Sequence, residues 1–323
     1  MQQADVATVI QELAALLPAH YVFPDVGAEL GRLLASRVTD GRYAVAADEA
    51  SLAAMVTEDL QSVNGDKHLR LLYSADEVTE TGDRAAEAAA MARWAGRTSG
   101  GIARVERLDG NIGYLDLRPV LFPPSIAGDA AVAAMSLVAP ADALIIDVRR
   151  CLGGDPAMVA LLCSYLFDEP VHLIDMHERA GSQINQSWTL PYTPGHRLGA
   201  AKPVYVLTSA TTFSGGEELS YDLQQLGRAA IVGERTRGGA HPREGFRVHP
   251  HLQATIPVAR GVSPASGTNW EGTGVVPDIE VPAGDAFAAA YRQALGHVLS
   301  LGDDGARGDT AAEARRARDA LPR

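Results

Sequence analysis

Residues 202–219 read KPVYVLTSATTFSGGEEL, and the change of texture inside them carries the architecture. Val204 to Leu207 is a short run of nearly continuous apolar character, the mark of a strand buried on both faces of a parallel sheet. A hydroxyl-rich turn follows, and Gly215-Gly216 opens a helical pattern predicted over Gly215 to Leu226. Three further runs have the same strand texture: GNIGYLDL (110–117), ADALIIDVR (141–149) and AAIVGE (229–234). Helical patterns over Asp129 to Val138 and Pro156 to Leu166 separate them. Strands alternating with helices predict βαβ units with right-handed crossovers and a mainly parallel sheet covered on both faces. A ligand site is then expected at the carboxyl ends of the strands.

Upstream of about Gly101 the texture is helical. Apolar residues at helical spacing predict a helix over Val6 to Leu17 stopped by Pro18, a second over Val26 to Val38 and a third over Asp48 to Val63. This unit closes in the polar segment Asn64-Gly65-Asp66, and residues 83–97, rich in Ala and charge, read as helical or mobile. Beyond Leu301 the chain is charged and Ala-rich, a frayed helix or a disordered end. The predicted organisation is a helical amino-terminal domain over 1–72, a linker over 73–100, an α/β domain over 101–300 and a charged tail over 301–323. There is no internal repeat.

The 323 residues carry 28 basic and 40 acidic side chains, a net charge of −12, with 46% hydrophobic residues. That composition supports a sizeable core and excludes a disordered chain. Without a basic cluster, neither nucleic acid nor an anionic membrane is an expected partner. Cys151 and Cys163 lie in apolar surroundings and form neither a disulfide framework nor a metal-ligand cluster. The amino terminus has no basic n-region and no long apolar run, so the expectation is a cytoplasmic protein without signal peptide or anchor.

Two turns could do chemistry. Ser214 stands where a helix begins, and free backbone N–H groups and the macrodipole there favour developing negative charge. A nucleophilic serine gains from that position; equally, Ser214 reads as an N-cap with Glu217 completing a Ser-x-x-Glu capping box. The second turn, DVRRCLGGDP (147–156), also leads from strand to helix, and its Gly153-Gly154 pair lets backbone N–H groups approach a ligand, or simply makes a tight loop.

The DVRRCLGG turn, the TSATTFSGGEE turn, the segment IVGERTRGGAHP (231–242) and the terminal GTGVVPDIEVP (272–282) come in a definite order and spacing. Together they resemble the catalytic domain of the tail-specific, or C-terminal processing, serine proteases, in particular the subgroup that includes the interphotoreceptor retinoid-binding protein modules. The resemblance implies a crotonase-like core of stacked ββα units with a mainly parallel sheet, behind a small helical domain. Residues 75–100 are too few for the PDZ domain that many relatives carry. It places the nucleophile on Ser214 and the oxyanion-hole donors on the backbone of Gly215 and of the Gly153-Gly154 turn.

The usual base of that family is a lysine, but its position falls on Gly239, and Lys67 and Lys202 are the chain's only lysines. The branch resembling the tricorn core protease uses a histidine oriented by a glutamate, positions that fall on His68 and Glu271. An imidazole can accept the serine proton and a carboxylate can fix its tautomer. His241, close to the lost lysine, is a competing base. His68 alone could be a surface residue of a polar turn, and Glu271 could be solvated or paired with Arg260. His249 and His251 read as structural or exposed, and Asp147 with Arg149 as a brace at the sheet end. Cys151 replaces the Asn usual in its turn, Asp278 holds its own loop, and Trp188, Tyr192, Phe246 and Trp270 either line a pocket or serve packing.

These readings imply a serine hydrolase or peptidase acting through an acyl-enzyme on a peptide or small acyl substrate, with no metal or organic cofactor. The alternative is a non-proteolytic protein on the same scaffold, binding apolar small molecules or stabilising an enolate as an isomerase or cyclase.

Overall fold

A computed structural model describes residues 3–78, 83–179 and 183–321. Residues 1–2 of the expected amino-terminal domain, 79–82 of the expected linker and 322–323 of the expected tail lie outside the described residues. In chain order the helices are α1 (Gln3–His20), α2 (Pro24–Thr39), α3 (Glu49–Gln61), α4 (Arg84–Arg97), α5 (Pro124–Val138), α6 (Pro156–Ser164), α7 (Gly215–Gln225), α8 (Ala286–Ser300) and α9 (Gly308–Ala320). The strands are β1 (Arg70–Tyr73), β2 (Ile102–Leu108), β3 (Ile112–Leu117), β4 (Ala143–Asp147), β5 (His172–Glu178), β6 (Ile184–Trp188), β7 (Val204–Thr208), β8 (Ala230–Gly233), β9 (Arg243–His249), β10 (Leu252–Pro257), β11 (Ala259–Val262) and β12 (Ile279–Glu280). They form two compact units, one built from residues 1–90, 175–185 and 239–262, the other from 91–174, 186–238 and 263–323.

The first unit packs α1, α2 and α3 with the antiparallel sheet β1-β10-β9. Its core joins Leu13, Leu17, Leu30, Leu34, Leu52 and Leu60 from the helices to Leu252, Ala254 and Ile256 from β10. Pro18 does not stop α1, which runs on to His20. Proline removes the N–H that would bond the carbonyl of Ala14. That carbonyl instead faces Gly31 of α2, where a Cβ would lie 2.8 Å from it. The last carbonyls are also served: Arg179 donates to the oxygens of Pro18 at 2.5 Å and Tyr21 at 3.2 Å. Helix α3 starts where predicted because Asp48 caps it: the Ser51 N–H donates to Asp48 Oδ1 at 2.8 Å and the Asp48 N–H to Ser51 Oγ at 3.0 Å.

The second unit is mixed α/β around a six-stranded sheet of order β12-β8-β7-β4-β3-β2. All its pairings are parallel except that of β2 with β3. The four strands expected from apolar runs are β3, β4, β7 and β8, and β3 and β4 are buried along their whole length. Helix α8 lays Ala290, Ala294 and Leu295 against Ile112, Ile145, Leu207 and Val232 of the sheet. Helix α5 begins at Pro124, earlier than its apolar pattern suggested, because proline is preset for the first helical turn. The chain's end is neither frayed nor loose over 308–320: α9 buries Ala311 and Ala314, and Glu313 accepts from the Gly110 N–H at 3.0 Å and from Arg107 at 2.9 Å. No described helix is long and apolar enough to cross a membrane.

Candidate active site

Strands β4 and β7 run side by side, with Ile146 opposite Val206 and Asp147 opposite Leu207, so the turns leaving their carboxyl ends are neighbours. The hydroxyl-rich stretch is what ties them together. Ser209 Oγ donates to the Arg149 carbonyl at 2.6 Å, Thr211 Oγ1 to the same oxygen at 2.9 Å, and Thr212 Oγ1 to the Val148 carbonyl at 2.9 Å. The Phe213 N–H donates to the Cys151 carbonyl at 3.1 Å. The cross-linked turns bring Gly153 to Ser214: a Cβ built on Gly153 would lie 2.9 Å from Ser214 Cβ and 3.4 Å from its Oγ.

Ser214 has φ +50° and ψ −121°, a positive-φ conformation that a residue with a Cβ adopts only when its surroundings impose it. Helix α7 starts immediately after it. Among the described residues, the backbone N–H groups of Gly153, Gly154 and Gly215, in the two neighbouring turns, make no backbone hydrogen bond. Cys151, in the place of the usual Asn, keeps the turn intact. Its buried thiol lies 3.4 Å from the Gly153 carbonyl, and a Cβ on Gly216 would meet it at 3.1 Å, so the small glycine accommodates the sulfur.

Glu217, read from sequence only as half of a capping box, has a larger role. Completely buried, it accepts the Ser214 N–H through Oε2 at 2.8 Å, and through Oε1 it accepts Thr236 Oγ1 at 2.5 Å and the Gly238 N–H at 2.6 Å. Thr236 Oγ1 in turn accepts the Val275 N–H at 2.7 Å, and the Gly272 N–H donates to the Gly238 carbonyl at 3.4 Å. One carboxylate thus connects the serine to the loop that carries Glu271. Glu271 is half-buried there, its N–H donating to Asn269 Oδ1 at 2.9 Å. The preceding Trp270 is buried against Tyr221, with ring centroids 5.2 Å apart.

His68 and His241 belong to the first unit, and both are buried. They converge on Asp66, itself buried. Asp66 Oδ1 accepts the His68 backbone N–H at 2.9 Å, and Oδ2 lies 2.8 Å from His241 Nδ1 and accepts the Tyr21 hydroxyl at 2.9 Å. Thr255 Oγ1 donates to the His68 carbonyl at 2.6 Å and fixes the strand entrance. Burial pushes the Asp66 carboxyl up, but the His241 hydrogen bond and charge outweigh it and hold the group below the ordinary carboxylate range. The polar turn Asn64-Gly65-Asp66 is therefore an internal anchor, with His68 inside and not on the surface. Nothing in the spacing of Tyr21, Asp66 and His241 announces this cluster.

The supporting residues behave as read. Arg149 Nη2 donates to Asp147 Oδ2 at 2.6 Å and its Nη1 to the Ala283 carbonyl at 2.7 Å, while Tyr114 donates to Asp147 at 2.7 Å, bracing the sheet end. Asp278 accepts the Ile231 N–H at 2.7 Å and Gln224 Nε2 at 3.0 Å. His251 Nδ1 lies 3.1 Å from the Ser74 carbonyl, and the His251 N–H donates to His249 Nδ1 at 3.3 Å, a structural turn. Trp188 stacks on His172 at 4.6 Å, Tyr192 is exposed, and Phe246 packs on His20 at 4.5 Å, each in its own setting.

A family model described as peptidase family S41 matches residues 111–281, and one described as the N-terminal domain of peptidase S41 in eukaryotic IRBP matches residues 2–96. Among solved structures, the chain is similar to a photosystem II D1 C-terminal processing protease at 14% identity and a TM-score of 0.54, over 86% of this chain and 93% of that one. It is similar to a lipoprotein from Streptococcus agalactiae at 12% identity and a TM-score of 0.60, over 90% and 96%. It is also similar to the tricorn protease at 13% identity and a TM-score of 0.56, over 98% of this chain but 37% of that one. These likenesses share the mixed α/β fold with its mostly parallel sheet, and the family match spans both catalytic-type turns: the chain belongs to peptidase family S41.

Proposed function

We propose that the protein is a serine hydrolase, a peptidase that works through an acyl-enzyme on a peptide or related acyl substrate. The observation that carries this reading is the Ser214 turn: a strained serine at a helix start, closely approached by the backbone of the Gly153-Gly154 turn. Ser214 Oγ attacks the substrate carbonyl, and the amides of Gly153, Gly154 and Gly215 serve as the oxyanion hole for the charge that develops on its oxygen. His68 takes the serine proton and returns it to the leaving group; water then attacks the ester by the same route. Glu271 holds the imidazole in the required tautomer.

A specific observation favours a second assignment of the base. His241 already has a carboxylate, Asp66, 2.8 Å from its Nδ1, the kind of contact that orients a basic imidazole. Mass-spectrometric labelling with a fluorophosphonate separates the two. Adduct is expected on Ser214 and not in Ser214→Ala. Loss of labelling in His68→Ala with retention in His241→Ala assigns the base to His68, and the reverse pattern assigns it to His241. A folded wild type that takes no label sinks the acyl-enzyme reading and returns the scaffold to ligand binding or enolate chemistry.

A further inference from the structure

A cleft of about 440 Å³ in the second unit is lined by Thr98, Ser99, Ala103, Arg118, Pro119 and Arg150. It borders the glycine turn. The Leu152 N–H donates to the Pro119 carbonyl at 2.8 Å, and the Leu121 N–H donates to the Gly153 carbonyl at 2.9 Å. Arg150 is part of the same DVRRCLGG turn. A substrate held between Ser214 and the Gly153 amide therefore has this cleft within reach of its neighbouring groups.

The charge arrangement is unbalanced. Arg118 Nε donates to Asp116 Oδ2 at 2.9 Å, and Arg150 Nη2 reaches the same oxygen at 3.4 Å. The Asp116 side chain is only 6% exposed, whereas those of Arg118 and Arg150 are 36% and 63% exposed. One buried carboxylate against two permanently protonated guanidinium groups leaves a positive charge at the cleft. Apart from those two bonds, neither guanidinium has a protein acceptor among the described residues. Their planar N–H forks match the two oxygens of a carboxylate. On a chain of net charge −12, this is a local reversal of sign beside the reactive turn.

We infer that the Arg118–Arg150 cleft is a subsite for a carboxylate carried by the substrate, so that the enzyme prefers acidic acyl or peptide substrates. The inference rests on the acyl-transfer reading. The carboxylate comes from an acidic side chain or from a free chain terminus; both offer the same pair of oxygens.

The test uses fluorophosphonates of equal length carrying a carboxylate, a neutral amide or an ammonium group. The carboxylate probe is expected to label Ser214 about three- to tenfold faster than the neutral one, the range of a partly solvated charge pair. This ratio falls towards one in Arg150→Ala and in the Arg118→Ala/Arg150→Ala pair, and shrinks as salt is added. Arg150→Glu shifts preference to the ammonium probe. Asp116→Asn removes the internal competitor and raises the ratio, an opposite sign that loss of folding cannot imitate. Labelling by the neutral probe without a carboxylate preference, or a preference that survives both arginine replacements, overturns the inference and leaves the serine reading standing. If no probe labels, the serine reading fails and the cleft is read by calorimetry with two short peptides. One ends in a free carboxylate; the other is amidated and carries one Glu. Binding weakened in Arg150→Ala upholds the cleft and identifies the source, and no binding of either peptide overturns it.

Discussion

The carboxylate of Glu217 accepts the backbone N–H of Ser214 at 2.8 Å while its other oxygen holds Thr236 and Gly238. The strained serine is thereby fixed from below, by a group that has no access to substrate. Glu217→Ala strands three buried donors, each worth about 1–3 kcal/mol when left unpaired. We expect serine labelling to fall by roughly a hundredfold, the scale of a displaced reacting atom, together with a lower unfolding midpoint. Glu217→Gln retains one acceptor and is expected to fall between. Labelling kinetics beside denaturant melts check this, and unchanged labelling in a destabilised Glu217→Ala would show that the bond does not position Ser214.

Gly153 has φ +127°, and its missing Cβ would sit 2.9 Å from Ser214 Cβ. Gly153→Ala is expected to abolish fluorophosphonate labelling, because the added carbon occupies the approach to the nucleophile and strains the turn by about 1–3 kcal/mol. Gly302 also has positive φ, at +87°, but nothing lies near its Cβ position. Gly302→Ala serves as the control, with a similar backbone strain of about 1–3 kcal/mol but labelling retained.

Glu218 and Asp222 stack one helical turn apart in α7, both buried, with oxygens that find no hydrogen-bond partner among the described residues. Burial pushes the Asp222 carboxyl up to about 8, and burial with the neighbouring charges of Asp222 and Asp155 pushes Glu218 well above its ordinary range. A carboxyl that is harder to ionise folded than unfolded stabilises fully below the unfolded value, and that stability drains away as pH rises towards the folded value. The wild type should therefore lose stability from about pH 4 to pH 8 through this pair. Asp222→Asn should melt about 5 °C higher than wild type at pH 8 and show little advantage at pH 4. Parallel melting curves at both pH values would contradict the assignment.

Burial pushes the Cys151 thiol up to about 12 and Cys163 well above its ordinary value. The thiolate is the reactive form, so both should resist iodoacetamide at pH 8 in the native protein and react once it is unfolded. Rapid native alkylation of Cys151, read by peptide mass spectrometry, would show that the glycine turn opens in solution.

The parallel strands were legible because burial on both faces leaves an uninterrupted apolar signature, as in Leu144 to Ile146. Strands β1, β9 and β10 were not: Arg70, Arg243, Glu244 and Gln253 interrupt their apolar residues, so no continuous apolar run marks these antiparallel strands. Ser214, Gly153 and Glu271 could be proposed by motif. Asp66 could not, because its burial depends on Tyr21 and His241, which only the fold brings to it. Pro18 misled for a related reason, since the glycine that receives its orphaned carbonyl lies in the next helix. Arg118 was passed over because its significance comes from sharing Asp116 with Arg150, a relation of space and not of spacing.

Thr255 in β10 donates to the His68 carbonyl across 187 positions of chain. The three amino-terminal helices therefore leave the ribosome long before the strands that complete their apolar core exist. At about 5–20 residues per second, that wait lasts roughly 10–40 s. Leu13, Leu30 and Leu52 have no sheet to cover them during this interval. Biosynthesis, more than the finished protein's equilibrium, is where this unit is most exposed to chaperones and to aggregation.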